Sequence, residues 1–209
     1  MENKKIKLFL DADDTILKSS KTVVDILNKR FNISPPKTER DVKDWQYRSV
    51  YNQCTNEIIN EIYDSEEFFK NVTLDPDFKN FYLEYESCFE WYIVTKGHKQ
   101  NLKHKKSFFE KHLPKATLIG CEFVSKNNEG YDKSHVDMEY GIQIDDRVDC
   151  LTGTNANIKI LIKNNKDVVW NKTDRVSEFF YIINEWKEIV EILKFAYENP
   201  DPFMGECLS

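Results

Sequence analysis

Three places in the chain put oxygen-rich side chains where chemistry needs them. Asp11 and Asp13 close an apolar run from Ile6 to Leu10. Thr95 closes a second run, Trp91 to Val94, and is followed by Lys96 and Gly97. Asp145 and Asp146 close a third, Gly141 to Ile144. If these runs are neighbouring strands, four carboxylates meet on one edge and repel one another. A divalent cation relieves that repulsion, and an all-oxygen donor set with room for waters suits Mg²⁺. A carboxylate nucleophile facing a phosphate needs the cation for the same reason, since two anions otherwise repel. Each cluster taken singly is also what helix N-caps and turns use. Their joint occurrence in this order points to phosphoryl chemistry.

Elements must hold these residues together. Two more apolar runs, Thr117 to Val124 and Ile158 to Ile162, make five short segments bounded by polar turns, as in the buried strands of a parallel sheet. Helical periodicity lies between them, at His98 to His112 and at Trp186 to Tyr197. In the latter Ile189, Ile192, Leu193 and Ala196 share a face, and Asn184 is placed to cap it. Alternating strands and helices predict an α/β fold, a Rossmann-like doubly wound parallel sheet. In such sheets ligands bind at the carboxyl ends of the strands, where the three clusters fall. The stretch 18–88 breaks the alternation. It has no convincing strand, but helical patterns at 22–31, 41–51, 56–70 and 77–89, punctuated by Pro35-Pro36 and Asp75-Pro76. Some 70 residues are too many for one crossover, so the reading is an inserted helical cap, 18–88, on a core formed by 1–17 and 89–209.

Length and composition agree with one core and an insertion, since 209 residues exceed an ordinary single domain of about 150. A formal charge of −6 lacks the basic footprint of a general nucleic-acid binder. Five dispersed cysteines (Cys54, Cys88, Cys121, Cys150, Cys207), without metal-ligand spacing, read as reduced thiols. The first apolar run is too short for a signal peptide or a membrane span. The expectation is a cytoplasmic protein with no membrane partner.

The motifs carry a resemblance. DADDT after a strand is similar to the first motif of the haloacid dehalogenase (HAD) superfamily, IVTKG to its second, and IQIDDR, with a lysine upstream, to its fourth and third. YDKSHVDMEYGIQIDDR, then IKILIK, VVWNK and NEWKEIVEIL, resembles in order and spacing the 5′(3′)-deoxyribonucleotidase branch. The likeness runs from residue 6 to about residue 195, and the cap matches in position and helical character only. It implies Asp11 as nucleophile, forming an aspartyl-phosphate, and Asp13 as general acid and then base. It implies Mg²⁺ held by Asp11, the Asp13 carbonyl and one acid of the pair, Asp146 favoured and Asp145 supporting. Thr95, with Lys96 beside it, and Lys133 would bind the phosphoryl group. Lys126 competes for the lysine role, and the Asp-Lys-Ser context favours Lys133. Dehalogenases of the family dispense with the second Asp and the metal, so Asp13 points to phosphoryl chemistry. Two features depart from the family pattern: Asp14 stands where Gly is usual, and the stretch from Lys133 to the Asp pair is slightly long.

The implied substrate is a small phosphomonoester, a deoxynucleoside monophosphate. A sugar phosphate, a nucleic-acid 3′ phosphate, or a non-catalytic phosphoryl-binding role are the alternatives. A nucleobase could stack on a cap aromatic, and Trp45, Tyr47 and Arg48 are the candidates. Most other cap aromatics read as core. Trp170-Asn171 matches a pair in the nucleotidase branch and reads equally as a loop anchor. His98, just after Thr95, reads mainly as a helix-start residue, and Lys103, His104, Lys105 and Lys106 as one solvated helix face.

Overall fold

The segment Lys7–Leu10 (β1) carries Leu8, Phe9 and Leu10, apolar toward both faces, as the central strand of a covered parallel sheet requires. The computed structural model describes residues 5–123, 133–164, 166, 168–172 and 181–200. Strand β1 is flanked by β2 (Glu90–Gly97) and β4 (Gly141–Asp145). Beyond them lie β3 (Ala116–Glu122), β5 (Ile158–Ile162) and β6 (Tyr181–Ile183). The six strands run in the order β3-β2-β1-β4-β5-β6, every neighbouring pair parallel. This is the Rossmann-like α/β fold. Five strands agree with the sequence expectation. The sixth adds a three-residue edge strand whose Tyr181 and Ile182 are exposed, too short to show as a periodic pattern.

Register aligns the strand ends. Leu10 pairs with Ile93 on one side and with Ile144 on the other, and the Asp11 amide donates to the Ile144 carbonyl at 2.9 Å. The residues that follow, Asp11, Thr95, Asp145 and Asp146, therefore leave the sheet at one edge. That edge is the crevice where crossovers depart from β1 and β4 to opposite sides.

Within 18–88 the named elements are helical: α1 (Ser19–Arg30), α2 (Asn56–Tyr63), α3 (Glu66–Asn71) and α4 (Pro76–Tyr85). Capping explains their limits. Thr55 and Ser65 accept from Ile58 N and Phe68 N, and Asp75 accepts from Asp77 N and Phe78 N with Pro76 in the first turn. The helix expected over 41–51 does not form. A 3₁₀ turn, Glu39–Asp41, is followed by irregular turns in which Asp44 binds Ser49 N and Tyr47 takes φ 57°. The short Asp side chain supplies the backbone with a partner that a helix would have displaced.

On the core side lie α5 (Lys99–His112), α6 (Val148–Thr152) and α7 (Trp186–Glu198). The N-cap of α7 is Glu185 rather than Asn184, whose backbone amide instead donates to the Glu188 carboxylate. One continuous core joins the sheet to the inserted helices. Phe78 of α4 packs on Trp186 of α7, ring centroids 4.9 Å apart, and also against Trp91 of β2. Most of the aromatics of this block, Tyr51, Phe68, Phe81 and Tyr82 among them, are buried, in a core shared with the sheet and not in one of the block's own as expected. No helix among the described residues is long and apolar enough to cross a membrane.

Candidate active site

The strand ends meet as the register requires. Asp11, Asp145 and Asp146 each offer a carboxylate oxygen within 4.8 Å of the others, all three buried. Lys133, itself 2% exposed, lies among them and donates to Asp11 Oδ1 at 2.5 Å and to Asp145 Oδ2 at 2.6 Å. Asp145 also accepts through its other oxygen, Oδ1, from Arg147 N at 3.0 Å. Among the described residues, Asp146 receives only the indole N–H of Trp170, at 2.6 Å, and it lines the cavity beside the cluster.

Electrostatics follow from this distribution. Burial would push Lys133 down, but Asp11 and Asp145 hold its ammonium well above the ordinary lysine range. Burial pushes Asp145 up to about 6 against the pull of Lys133. Asp146 stands well above the ordinary carboxylate range, first through burial and then through the charges of Asp145, Asp11 and Asp14. The Lys133 ammonium therefore bonds two of the three carboxylates, Asp11 and Asp145. The donor set fits a hard divalent cation, which would supply the positive charge that Asp146 lacks.

Asp13 belongs to a second ion pair that the sequence reading did not foresee. Its Oδ2 accepts from Lys105 Nζ at 2.6 Å and its Oδ1 from Ser19 Oγ at 2.7 Å. Burial, then the charge of Asp11, push its carboxyl above the ordinary range, with Lys105 opposing. Lys105 also donates to Thr95 Oγ1 at 2.7 Å and to the Lys96 carbonyl at 2.9 Å, and it is wholly buried. The expectation of one solvated basic face is corrected here. Lys103 and Lys106 are exposed, whereas Lys105 shares the inward face of α5 with Asn101 and Phe109. That four-residue spacing, leading on to Leu113, was the available signal.

Asp14 takes φ 54°, a left-handed conformation that Asp tolerates better than most residues. Its carboxylate accepts from the amide and hydroxyl of Ser20 in the first turn of α1, and Lys166 lies 3.4 Å away. The extra negative charge is thus met by a helix start and a lysine. A Cβ at Gly97 would press on Asn101 Oδ1 and force a shift of that buried side chain, which donates to the Tyr63 carbonyl.

These residues open on a cavity of about 450 Å³, lined at its base by Asp11, Asp13, Thr95, Lys96, Lys133 and Asp146. Trp45, Gln46 and Asn56 from the inserted block, Phe123, and Trp170 also line it, with Asp14, Arg147, Asp149 and Cys150. Trp45 stacks on Tyr63 (5.4 Å, 17°) and meets Trp170 edge-on at 6.4 Å. Of the three substrate candidates only Trp45 reaches the cavity. Tyr47 is 1% exposed with its hydroxyl donating to Ser20, and Arg48 is exposed and outside the cavity wall. His98 lines a small crevice beside Asp13 and Trp45. Asn171 is buried and ties its own loop through Val168 N and the Lys166 carbonyl. Lys126 lies outside the described residues. Cys150 lines the cavity, but burial raises its thiol far above the ordinary range, which keeps it protonated.

No family model and no curated protein matches the chain. Solved structures do. A haloacid dehalogenase-like family hydrolase, SP0104 from Streptococcus pneumoniae, superposes with a TM-score of 0.58 at 15% identity, over 90% of this chain and 98% of that one. YfnB from Bacillus subtilis, named as a HAD hydrolase and bound to magnesium, gives 0.52 at 16%, over 91% and 99%. A Lactobacillus delbrueckii protein named as a phosphoglycolate phosphatase gives 0.55 at 11%, over 91% and 98%. Structures named as dehalogenases match as well. At such identities the likeness is one of fold. The chain has the fold of the HAD-like hydrolases over nearly its whole length.

Proposed function

We propose that the protein is a Mg²⁺-dependent phosphomonoester hydrolase of the HAD superfamily, acting on a deoxynucleoside monophosphate through an aspartyl-phosphate. The observation that carries the reading is the placement of Asp11. Its Oδ1 is held by Lys133, Asp145 and Asp146 stand beside it, and it faces a cavity that also presents Asp13 and Thr95.

In this reading the free oxygen of Asp11 attacks phosphorus, and the bond from phosphorus to the ester oxygen breaks. Asp13 gives its proton to the leaving alkoxide and then takes one from the water that attacks the aspartyl-phosphate. The Asp11–phosphorus bond breaks, inorganic phosphate leaves, and both aspartates return to their starting state. Thr95 donates to a phosphoryl oxygen, and the Lys133 ammonium offsets the charge that gathers there. Mg²⁺, held by Asp11, Asp146 and the Asp13 carbonyl, with Asp145 supporting, would neutralise the phosphate so that an anionic nucleophile can approach. Asp13 separates this chemistry from dehalogenation, which has no leaving alkoxide to protonate.

The inserted block, 18–88, acts as a cap in this scheme, with its last helix docked on the core. It contributes Trp45, Gln46 and Asn56 to the cavity wall. The indoles of Trp45 and Trp170 offer a planar leaving group a stacking surface, at about 1–3 kcal/mol per base.

The test is phosphate release with Mg²⁺ from 5′- and 3′-deoxynucleotides, ribonucleotides and sugar phosphates, with Asp11→Asn in parallel. Turnover of deoxynucleotides, abolished by EDTA and in Asp11→Asn, is the expected result. Turnover of sugar phosphates alone would retain the mechanism and discard the substrate. Silence across the panel would refute the reading.

A further inference from the structure

Lys105 presents a physical puzzle that the reaction scheme leaves unused. It sits in the second turn of α5, wholly buried, and does not line the cavity. Burying an ammonium is costly, and an apolar side chain between Asn101 and Phe109 would pack the same helix face without that cost. The compensation comes from three acceptors: Asp13 Oδ2 at 2.6 Å, Thr95 Oγ1 at 2.7 Å and the Lys96 carbonyl at 2.9 Å. An ammonium has three N–H donors, so all are spent. The acceptors come from two different strand ends, the loop after β1 and the end of β2.

What this arrangement does to its partners is specific. Asp13 is gripped through both oxygens, by Lys105 on Oδ2 and by Ser19 Oγ on Oδ1, so its carboxylate plane is fixed. Thr95, having accepted from Lys105, must turn its own proton elsewhere. The Lys96 carbonyl is at 3.4 Å, the long limit of a hydrogen bond, which leaves that proton available to a phosphoryl oxygen.

We propose that Lys105 is a positioning residue for phosphoryl transfer, orienting Asp13 toward the leaving-group oxygen and Thr95 as a donor to the phosphoryl group. The inference rests on the phosphatase reading above. It treats Lys105 as acting through Asp13 and Thr95 without touching substrate, unlike Lys133.

A positioning role leaves a signature that a packing role does not. An ester whose leaving group is a poor base needs little protonation, so misplacing Asp13 harms it less. The experiment measures kcat/KM, which reports the first bond-breaking step, for p-nitrophenyl phosphate and for an alkyl ester, deoxyuridine 5′-monophosphate. Wild type, Lys105→Met and Asp13→Asn are compared with Mg²⁺. Lys105→Met should lose about 10²-fold on the alkyl ester and less than about tenfold on p-nitrophenyl phosphate, the same pattern as Asp13→Asn. Should Lys105→Met fail to fold, Ser19→Ala, which loosens the other oxygen of Asp13, should show a smaller loss with the same leaving-group dependence. An active wild type with Lys105→Met unaffected, or affected equally on both esters, overturns this inference alone. If Ser19→Ala has to carry the test, equal losses on both esters overturn it too. A wild type idle on both esters overturns the phosphatase reading and this inference with it.

Discussion

Replacing Lys133 by Met tests the electrostatic account of the site without requiring turnover. The ammonium is 2% exposed and holds two carboxylates at 2.5 and 2.6 Å, with Asp146 close by. Removing one partner of a buried pair leaves uncompensated charge, at about 3–5 kcal/mol. For a chain of this size each kcal/mol moves Tm by about 2–4 °C, so metal-free Lys133→Met should melt about 6–20 °C below wild type near pH 8. The deficit must depend on pH. Burial already raises Asp145 to about 6 against the pull of Lys133, and losing that ammonium raises it further. A carboxyl raised in the folded state costs nothing below its unfolded value and costs progressively more as pH rises through its folded value. The gap should therefore narrow toward pH 5 and be full at pH 8. With Mg²⁺ held at this cluster as proposed, the ion would favour the folded state, and it should recover more of the loss in Lys133→Met than it adds to wild type. Thermal melts followed by circular dichroism at both pH values, in EDTA and in Mg²⁺, measure all of this. A metal-free Lys133→Met within about 2 °C of wild type at pH 8, or a gap that widens on acidification, would refute the reasoning.

Three further outcomes follow from the same geometry. Trp170→Phe removes the 2.6 Å indole bond to Asp146 and should weaken Mg²⁺ binding by about tenfold while sparing kcat at saturating Mg²⁺, as titration calorimetry and the Mg²⁺ dependence of rate will show. Because Asp145 and Asp146 are both raised in the metal-free site, protons compete with the cation. The Mg²⁺ dissociation constant should fall as pH rises from 5 to 8, and a flat profile would count against these ligands. Trp45→Ala removes one stacking surface from the cavity wall and should raise KM for deoxynucleotides by about 10- to 100-fold while leaving a sugar phosphate unchanged; equal effects on both would deny Trp45 a role in base recognition.

The placement of the acidic residues was legible because it is local. Asp11, Thr95, Asp145 and Asp146 each follow directly on an apolar run, and a parallel sheet must place such positions on one edge. Asp13 needs only its two-residue offset from Asp11. Lys133 became legible through motif order, and its burial between Asp11 and Asp145 appears only in the structure. The aromatic block at 41–51 misled for a physical reason. Helical spacing of Tyr47 and Tyr51 reflects burial, and here irregular turns pinned by Asp44 and by the Tyr47 and Tyr51 hydroxyls bury them just as well.

What the sequence by itself determined was therefore the α/β alternation, the helical block between the first two strands and the oxygen-bearing side chains at three strand ends. Tertiary structure alone decided which polar residues are drawn inside. Lys105 stands in a run of basic residues that reads as solvated, and its ammonium is buried because Asp13, 92 residues away in the chain, waits for it there. Trp170 likewise gains its meaning from Asp146, and Tyr47 loses its place in the cavity to Ser20. Apolar burial is written in periodicity, because it needs only a common face. Burial of a charge depends on one particular distant partner, and the folded chain alone brings the two together.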